Sequence, residues 1–457
     1  MISPWDYQIA AIDAVIRELQ LKKKPLVVSP GGSGKTVMIS ELAVRARKMG
    51  GGRVLIVSHR KEIIEQTAAT LLKMGFQSDE VGILMGSEKV RTRAPVVVAS
   101  IMTLHQSAWR VGKVDFVIID EAHHALARKY KNTLERFNAK FYAGFTATPF
   151  RLDGKGLADF FDVMIVAAKP SELMAKDRLA RPVIYRAPEE FMPDLSDIRI
   201  ARGDYIIGKL AERVSPRGIV GNIVDNYKLR AKGKRAIAFG VSILHSQSIA
   251  DRFNDAGVPA AHLDGTMSKD QREEVLEGFR SGNIHVLSNC MVLTEGYDLP
   301  ACEAVIMARP TQSLVLYLQQ AARGMRFFPG KTPILLDHAR LLERFGLPEA
   351  DRDYVLTTTK ANRDSWSSGS VKDCPQCGAV SDYGSKVCIV CGLVFPQVER
   401  GIPEEQVAVL EVFSAKEKKE LEGRLQAYAE AQGYEPEWVE QLVQLWVGNH
   451  YQEPKTA

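Results

Sequence analysis

The sequence predicts an α/β protein: two parallel-sheet domains in tandem, then a small cysteine module and a helical tail. Three observations predict it. Short β-branched apolar runs alternate with helical stretches from Leu26 to about Thr148. The same alternation returns after Arg181, and after about Ala361 the composition shifts to small polar residues and then to clustered cysteines.

In the first stretch the runs are Leu26-Val-Val-Ser, Val54-Leu-Ile-Val-Ser, Val96-Val-Val-Ala-Ser and Phe116-Val-Ile-Ile-Asp, with a helix over Thr36 to Met49. Apolar runs this continuous suit strands buried on both faces of a parallel sheet. In the second stretch, Ala236-Ile-Ala-Phe, Ala260-Ala-His-Leu, His285-Val-Leu-Ser, Ala304-Val-Ile-Met and Pro333-Ile-Leu-Leu-Asp read as strands. Helices fall between them, for instance over Ser246 to Ala256 and Asp270 to Ser281. The expected boundaries are a first domain over 1–168, a connector or start of the second domain over 169–218, and a second domain over 219–360. A linker over 361–373, a cysteine module over 374–396 and a helical tail over 397–457 complete the chain. The tail carries apolar stripes at Leu421, Leu425, Tyr428, Trp438, Leu442, Leu445 and Trp446.

At 457 residues the chain is long enough for about three domains. No apolar run approaches the roughly 18 residues of a membrane span, so no membrane partner is expected. The N-terminus lacks the basic and then apolar layout of a signal peptide, which predicts a cytoplasmic protein in a reducing compartment. The net charge of +5 permits a nucleic-acid partner without demanding one.

Ser29-Pro-Gly-Gly-Ser-Gly-Lys-Thr36 lies between a strand and a helix, the context in which such a loop cradles phosphates. Gly31, Gly32, Ser33 and Gly34 offer backbone N–H groups at a helix N-terminus, Lys35 neutralises the β and γ phosphates, and Thr36 suits Mg²⁺. Ser29 stands where the strict pattern has its first glycine. Phe116-Val-Ile-Ile-Asp120-Glu-Ala-His-His ends an apolar strand in two acids and two histidines. Asp120 suits Mg²⁺ and Glu121 suits an attacking water, the pair implying hydrolysis of ATP. His123 is expected to couple this site to the turn at Thr146 and Thr148. A zinc site there lacks the helical His-Glu-x-x-His spacing.

These motifs, in this order, resemble the superfamily 2 DEAH-box helicases and translocases over about Pro4 to Asp337. The resemblance implies RecA-like domains and assigns further roles. Tyr7 and Gln8 match the element that reads adenine, and Phe150-Arg-Leu-Asp-Gly-Lys-Gly-Leu157 continues as in bacterial and phage members. Thr294-Glu-Gly-Tyr-Asp298-Leu-Pro matches the motif V of the second domain, placing Asp298 toward the nucleotide. Gln319-Gln-Ala-Ala-Arg323-Gly-Met-Arg326 matches motif VI, so Gln319, Arg323 and Arg326 face the nucleotide across the cleft, with Arg326 as arginine finger. An arginine there stabilises charge developing on the γ-phosphate and makes hydrolysis depend on domain closure. Ala322 stands where the family has glycine. The resemblance also places Arg60, Thr103, Ser242 and Thr294 on a nucleic-acid track that holds the backbone without reading sequence.

Cys374-Pro-Gln-Cys377-Gly and Cys388-Ile-Val-Cys391-Gly form two Cys-x-x-Cys pairs, a set that suits a closed tetrahedral Zn²⁺. A thioredoxin-like or iron–sulfur role fits the spacing less well. Motor, ribbon and tail together resemble the RadD-like bacterial repair proteins and related phage helicases. The expectation is an ATP-dependent DNA helicase or translocase in replication, recombination or repair. It would act on single-stranded, forked or branched DNA, and its ribbon or tail would meet single-strand-binding or recombination proteins. Three alternatives stand beside it: an RNA helicase, the motor subunit of a restriction or defence complex, and a zinc-dependent binding protein with a vestigial ATPase.

Overall fold

The computed structural model describes residues 2–357 apart from 51, 87, 125–127, 151–155, 202, 216, 294–298 and 300–301, together with 371–396 and 423. Met1–Val394 forms one compact unit and Phe395–Ala457 a second. Nearly all of the second, including the predicted helical tail, lies outside the described residues, as do Thr294, Asp298 and most of the linker.

The first sheet is built from β1 (Pro25–Val28), β2 (Val54–Ser58), β3 (Val81–Met85), β4 (Glu88–Val90), β5 (Val96–Ser100), β6 (Phe116–Ile119), β7 (Phe141–Thr146) and β8 (Val163–Val166). Its order is β4-β3-β5-β2-β6-β7-β1-β8, parallel throughout except where β4 pairs with β3. Around it stand α1 (Asp6–Gln20), α2 (Lys35–Lys48), α3 (Lys61–Lys73), α4 (Ile101–Val111) and α5 (Arg128–Glu135). Every residue of β1, β2 and β5 is buried. The pleat explains how: Leu26, Val28, Leu55 and Val57 enter one core with Leu104 and Phe161, while Val27, Val54 and Ile56 enter the other with Met38, Ile39 and Ile12.

After α6 (Pro170–Ala175) the chain adds β9 (Val183–Arg186) and a small hairpin, β10 (Ile200–Ala201) and β11 (Asp204–Tyr205). Then come α7 (Ile207–Val214), α8 (Arg217–Arg230), β12 (Ala236–Phe239), α9 (Ile243–Asp255), β13 (Ala260–Leu263), α10 (Lys269–Ser281), β14 (Val286–Asn289), β15 (Ala304–Met307), α11 (Leu314–Ala322), β16 (Ile334–Asp337) and α12 (Leu341–Phe345). The second sheet runs β13-β14-β12-β15-β16-β9, all parallel. β9 thus belongs to the second sheet, although it lies in the stretch read as connector. Alternation again builds two cores, with Ile237, Leu287 and Val305 on one face and Ala238, Val286 and Ile306 on the other.

Each run that the sequence marks as a strand is one, to within a residue or two. The runs at β3, β7, β8 and β9 were not anticipated. The cysteine module is a third small element, with β17 (Val371–Asp373) pairing antiparallel with β18 (Val380–Asp382). Among the described residues no helix is long and apolar enough to cross a membrane.

Candidate active site

Parallel strands deliver their following loops to one edge, and in open α/β sheets that edge holds the ligand crevice. β1 runs into the glycine loop, where Gly32 and Gly34 adopt φ of 85° and 78°, the left-handed region that glycine enters without strain. The second of these caps α2. Inside the loop, the Ser29 hydroxyl donates to the Ser33 hydroxyl at 2.6 Å and Ser33 donates to the Pro30 carbonyl at 2.6 Å. Ser29 therefore does what a glycine could not: it ties the loop's two ends together. Lys35 Nζ sits 3.4 Å from the Ser29 carbonyl.

β6 ends in the acid pair. Glu121 holds φ of 47°, strained for a residue with a Cβ, and its N–H donates to Asp120 Oδ1 at 2.9 Å. His123 is buried beside it, with Nδ1 3.3 Å from Glu121 Oε2 and 3.2 Å from Thr146 Oγ1. Thr146 in turn donates to the Thr148 carbonyl at 2.8 Å. His123 thus stands between the acid pair and the turn after β7, close to Glu121 and hydrogen-bonded to Thr146.

From the second domain, α11 brings Gln319, Ala322 and Arg323, and the turn after it brings Arg326. A backbone bridge between Leu179 and Arg326, with Ala180 N–H donating to the Met325 carbonyl at 2.8 Å, fixes that turn. The Lys331 ammonium holds the Arg326 carbonyl at 3.2 Å. Burial lowers the Arg326 guanidinium to about 10, leaving it cationic at neutral pH. A Cβ built on Gly32 would stand 3.4 Å from Arg326 Cγ, so the arginine lies directly over the glycine loop.

Gly31, Gly32, Gly34, Lys35, Thr36, Asp120, Glu121, Gln319, Arg323 and Arg326 line one cavity of about 580 Å³. Tyr7 and Gln8 are not part of its wall. The Tyr7 hydroxyl donates to the Ser33 carbonyl, and Gln8 donates to the same carbonyl at 3.0 Å while accepting from Trp5 N–H at 2.9 Å. Both side chains brace the glycine loop from behind. The wall at that end is formed instead by Trp5, with the Arg178 guanidinium 4.4 Å over its ring, and by Asp177 and Phe327. Sequence reasoning missed these four because Arg178 and Trp5 meet only through the fold.

The residues expected on a nucleic-acid track are placed less uniformly. Ser242 caps α9, accepting from His245 N–H at 3.1 Å, and Thr103 accepts from Gly86 N–H at 2.8 Å. Arg60 reaches across the cleft instead, donating to the carbonyls of Val292 at 2.9 Å and Met291 at 3.4 Å. Those carbonyls lie just ahead of the segment 294–298, so in this arrangement Arg60 bridges the two domains.

The four cysteine sulfurs of the ribbon all lie within 4.8 Å of one another, with Cys374–Cys391 at 3.5 Å and Cys377–Cys388 at 3.7 Å. Four thiolates at a Zn–S distance of about 2.3 Å stand about 3.8 Å apart in a tetrahedron, so the set fits Zn²⁺. Each knuckle closes with a glycine N–H, Gly378 to the Cys374 carbonyl at 2.8 Å and Gly392 to the Cys388 carbonyl at 3.0 Å.

Comparison with known proteins agrees with this geometry. Residues 1–151 match the family model "Type III restriction enzyme, res subunit" and residues 219–328 match "Helicase conserved C-terminal domain". A 51.5 kDa protein of a Lactococcus phage is 34% identical over 87% of this chain and 83% of its own length. A Saccharomyces cerevisiae protein with the provisional name ATP-dependent helicase IRC3 is 30% identical over 75% of this chain, which spans 51% of it. The DNA 3'-5' translocase XPB2 of Sulfurisphaera tokodaii is 26% identical over 70% of this chain and 78% of its own. In fold, the Type ISP restriction-modification enzyme LlaBIII bound to DNA superposes with a TM-score of 0.53 at 19% identity, covering 73% of this chain and 27% of that one. The chain belongs to the superfamily 2 helicases and is an ATP-hydrolysing enzyme of that family.

Proposed function

We propose that this chain is a DNA motor, a helicase or translocase that couples ATP hydrolysis in the interdomain cleft to movement on DNA in replication, recombination or repair. The observation that carries it is the shared cavity: phosphate-binding and acid residues come from one domain, and Gln319, Arg323 and Arg326 from the other. A site completed by two domains makes hydrolysis report on their closure.

In this reading the loop amides and Lys35 hold the β and γ phosphates, and Trp5 with Arg178 flanks the base. Thr36 and Asp120 would hold Mg²⁺, which when bound neutralises phosphate charge. Glu121 orients the attacking water and takes its proton, while the strained backbone aims the carboxylate into the cavity. Arg326, nearly stripped of water, meets the γ-phosphate with an interaction stronger than it would have in solvent. The His123–Thr146 contact transmits the state of Glu121 to the turn at Thr148 and so toward the cleft.

The relative named as a DNA translocase supports DNA over RNA as the track, and the chemistry of the four-cysteine set supports zinc in the ribbon. We place the protein in the cytoplasm of a bacterium or, for a phage protein, of its host. The test is steady-state ATP hydrolysis without polymer and with single-stranded DNA, forked DNA and RNA. DNA should stimulate the wild type, and Glu121→Gln and Lys35→Ala should each lower the stimulated rate by about 10²-fold or more. Stimulation by RNA alone, or equal rates in wild type and variants, would overturn the reading.

A further inference from the structure

The rim of the first sheet opposite the nucleotide crevice has a chemistry of its own. Along it a cation precedes one strand after another: Arg93 ahead of β5, Arg53 ahead of β2, Lys113 ahead of β6, Lys140 ahead of β7, and Lys24, after Lys22 and Lys23, ahead of β1. These strands are neighbours in the order β5-β2-β6-β7-β1, so at about 4.8 Å per strand the cations span about 19 Å. Arg53 ties the rim together, donating to the carbonyls of Thr92 at 3.3 Å, Val111 at 2.7 Å and Lys113 at 2.9 Å. Arg93, Lys113 and Lys140 are exposed. The acids that border the strip are engaged: Glu18 with Lys23 at 2.9 Å, Asp115 with Lys140 at 3.5 Å, Glu135 with Lys131 at 4.0 Å, and Asp162 with Lys24 N–H at 2.7 Å. The strip stops at β3, whose start carries Asp79 and Glu80.

A cavity of about 530 Å³ opens beside Lys113, lined by His105, Trp109, Arg136 and Phe137 among others and by no acid. α4 kinks at Ser107, and beyond the kink Trp109 stands 67% exposed with the Arg110 guanidinium 4.4 Å over its ring. Tryptophan and arginine are enriched where surfaces bind, and a ring beside cations suits a ligand that joins a flat face to negative charge. A nucleotide unit has both. The strip runs further than one nucleotide's phosphate, which selects a polymer, and an open cavity beside the ring selects a strand whose bases are unstacked.

β6 carries the acid pair at its other end, roughly 16 Å from Asp115, so neither strip nor cavity belongs to the nucleotide site. Arg60 and Thr103, expected on the track, follow β2 and β5 at the crevice rim and are equally remote.

We propose that this rim is a second binding site for single-stranded DNA, with phosphates on Lys113, Arg136 and Lys140 and an unstacked base against Trp109. The choice of DNA rests on the DNA-motor reading. Phosphate contacts of this kind hold a strand without reading its sequence, and stacking on tryptophan accepts any base. Every contact comes from the first domain, so the grip is indifferent to cleft closure and keeps the chain on DNA while the cleft cycles.

The experiment uses the full chain and a fluorescein-labelled oligothymidylate, with affinity read by anisotropy across a salt series and ATPase measured at saturating DNA. Lys113→Gln/Arg136→Gln and Trp109→Ala change exposed side chains, and melting temperature checks their folding. Each should weaken binding about tenfold while the saturated rate stays within about twofold of wild type. The double variant should also lower the salt slope by about 1.4, and Trp109→Ala should leave it unchanged. In the wild type, photocrosslinking from 5-iododeoxyuridine should map to Trp109. Unchanged affinity in both variants overturns the site, as does a crosslink confined to the crevice rim. So does an equal loss in Lys228→Gln/Lys232→Gln, which removes the same charge from the second domain, or an oligoaspartate that binds through the strip while DNA affinity is untouched, the mark of an acidic protein partner. Binding needs no hydrolysis, so a chain that holds DNA at Trp109 without any DNA-stimulated ATPase overturns the motor reading and leaves the site standing.

Discussion

A methyl group separates the closed cleft from an open one at Gly31. A Cβ built there would stand 2.4 Å from the Cβ of Ala322, far inside contact distance, with neither atom on a flexible side chain. Gly31 is therefore required by what packs on it from the other domain as well as by the phosphates. We predict that Gly31→Ala lowers the DNA-stimulated rate by about 10²-fold with little change in melting temperature, because misplacing the reacting groups by about 1 Å costs that much. Adding Ala322→Gly should return a large part of the loss, and a double variant no faster than the single would show that the loop itself, not the contact, was damaged. The need for glycine in the loop was legible from its motif. The departure at Ala322 was legible too, but not its meaning, because the partner across the cleft is supplied by the fold.

The cysteine ribbon shows the same division at the scale of an element. The grouping of its four cysteines could be read from spacing alone, whereas its resting place could not, since the residues that dock it lie far away in sequence. Arg186 on β9 makes paired hydrogen bonds to Asp373, with Nε at 2.9 Å and 2.8 Å from its two oxygens. Arg230 at the end of α8 donates to the Cys377 carbonyl at 2.9 Å while stacking 4.4 Å over the Tyr185 ring. Val380 of β18 enters the second domain's own core. In the zinc reading proposed above, a module this small draws most of its folding energy from metal, which predicts a cap on the second sheet that folds only when loaded. Stripping zinc with a chelator should release the thiols to a thiol reagent and speed amide exchange along β9, leaving exchange in β1 and β6 as it was. The docking view fails if β9 exchanges at the same rate with and without metal. Arg230→Ala should separate ribbon from sheet while zinc content stays unchanged, since Arg230 touches a knuckle carbonyl and no sulfur.

Across the whole molecule, strands buried on both faces were the easiest elements to foresee, because a continuous apolar run has few other places to go. β7, β8 and β9 were harder: Phe141–Thr146 lies inside the first sheet but mixes aromatic, glycine and polar residues, Val183–Arg186 is a short edge strand of the second, and only their neighbours make them strands. Least legible were the histidines that the second domain buries. His245 and His338 are almost fully enclosed, and burial lowers them to about 4 and about 3. Neither ring nitrogen of His338 has a hydrogen-bond partner. Both therefore stay neutral in the fold and take up protons on unfolding, so the unfolded chain binds more protons below the ordinary histidine value near 6.5. Their stabilising contribution is complete above that pH and is lost as pH falls toward 4, at about 1.4 kcal/mol per pH unit for each ring. Glu349 works against them: burial raises its carboxyl to about 7, so its contribution is present below its ordinary value of 4.5 and lost as pH rises toward 7. Between pH 4.5 and 6.5 these three groups together should accordingly contribute roughly the net slope of one histidine. Glu349→Gln should steepen it to nearly two, and His338→Gln should flatten it toward zero. Amide exchange of β12 and β16 against pH reads the opening free energy of this domain directly; parallel profiles in all three proteins would mean that these groups are solvated in the folded state.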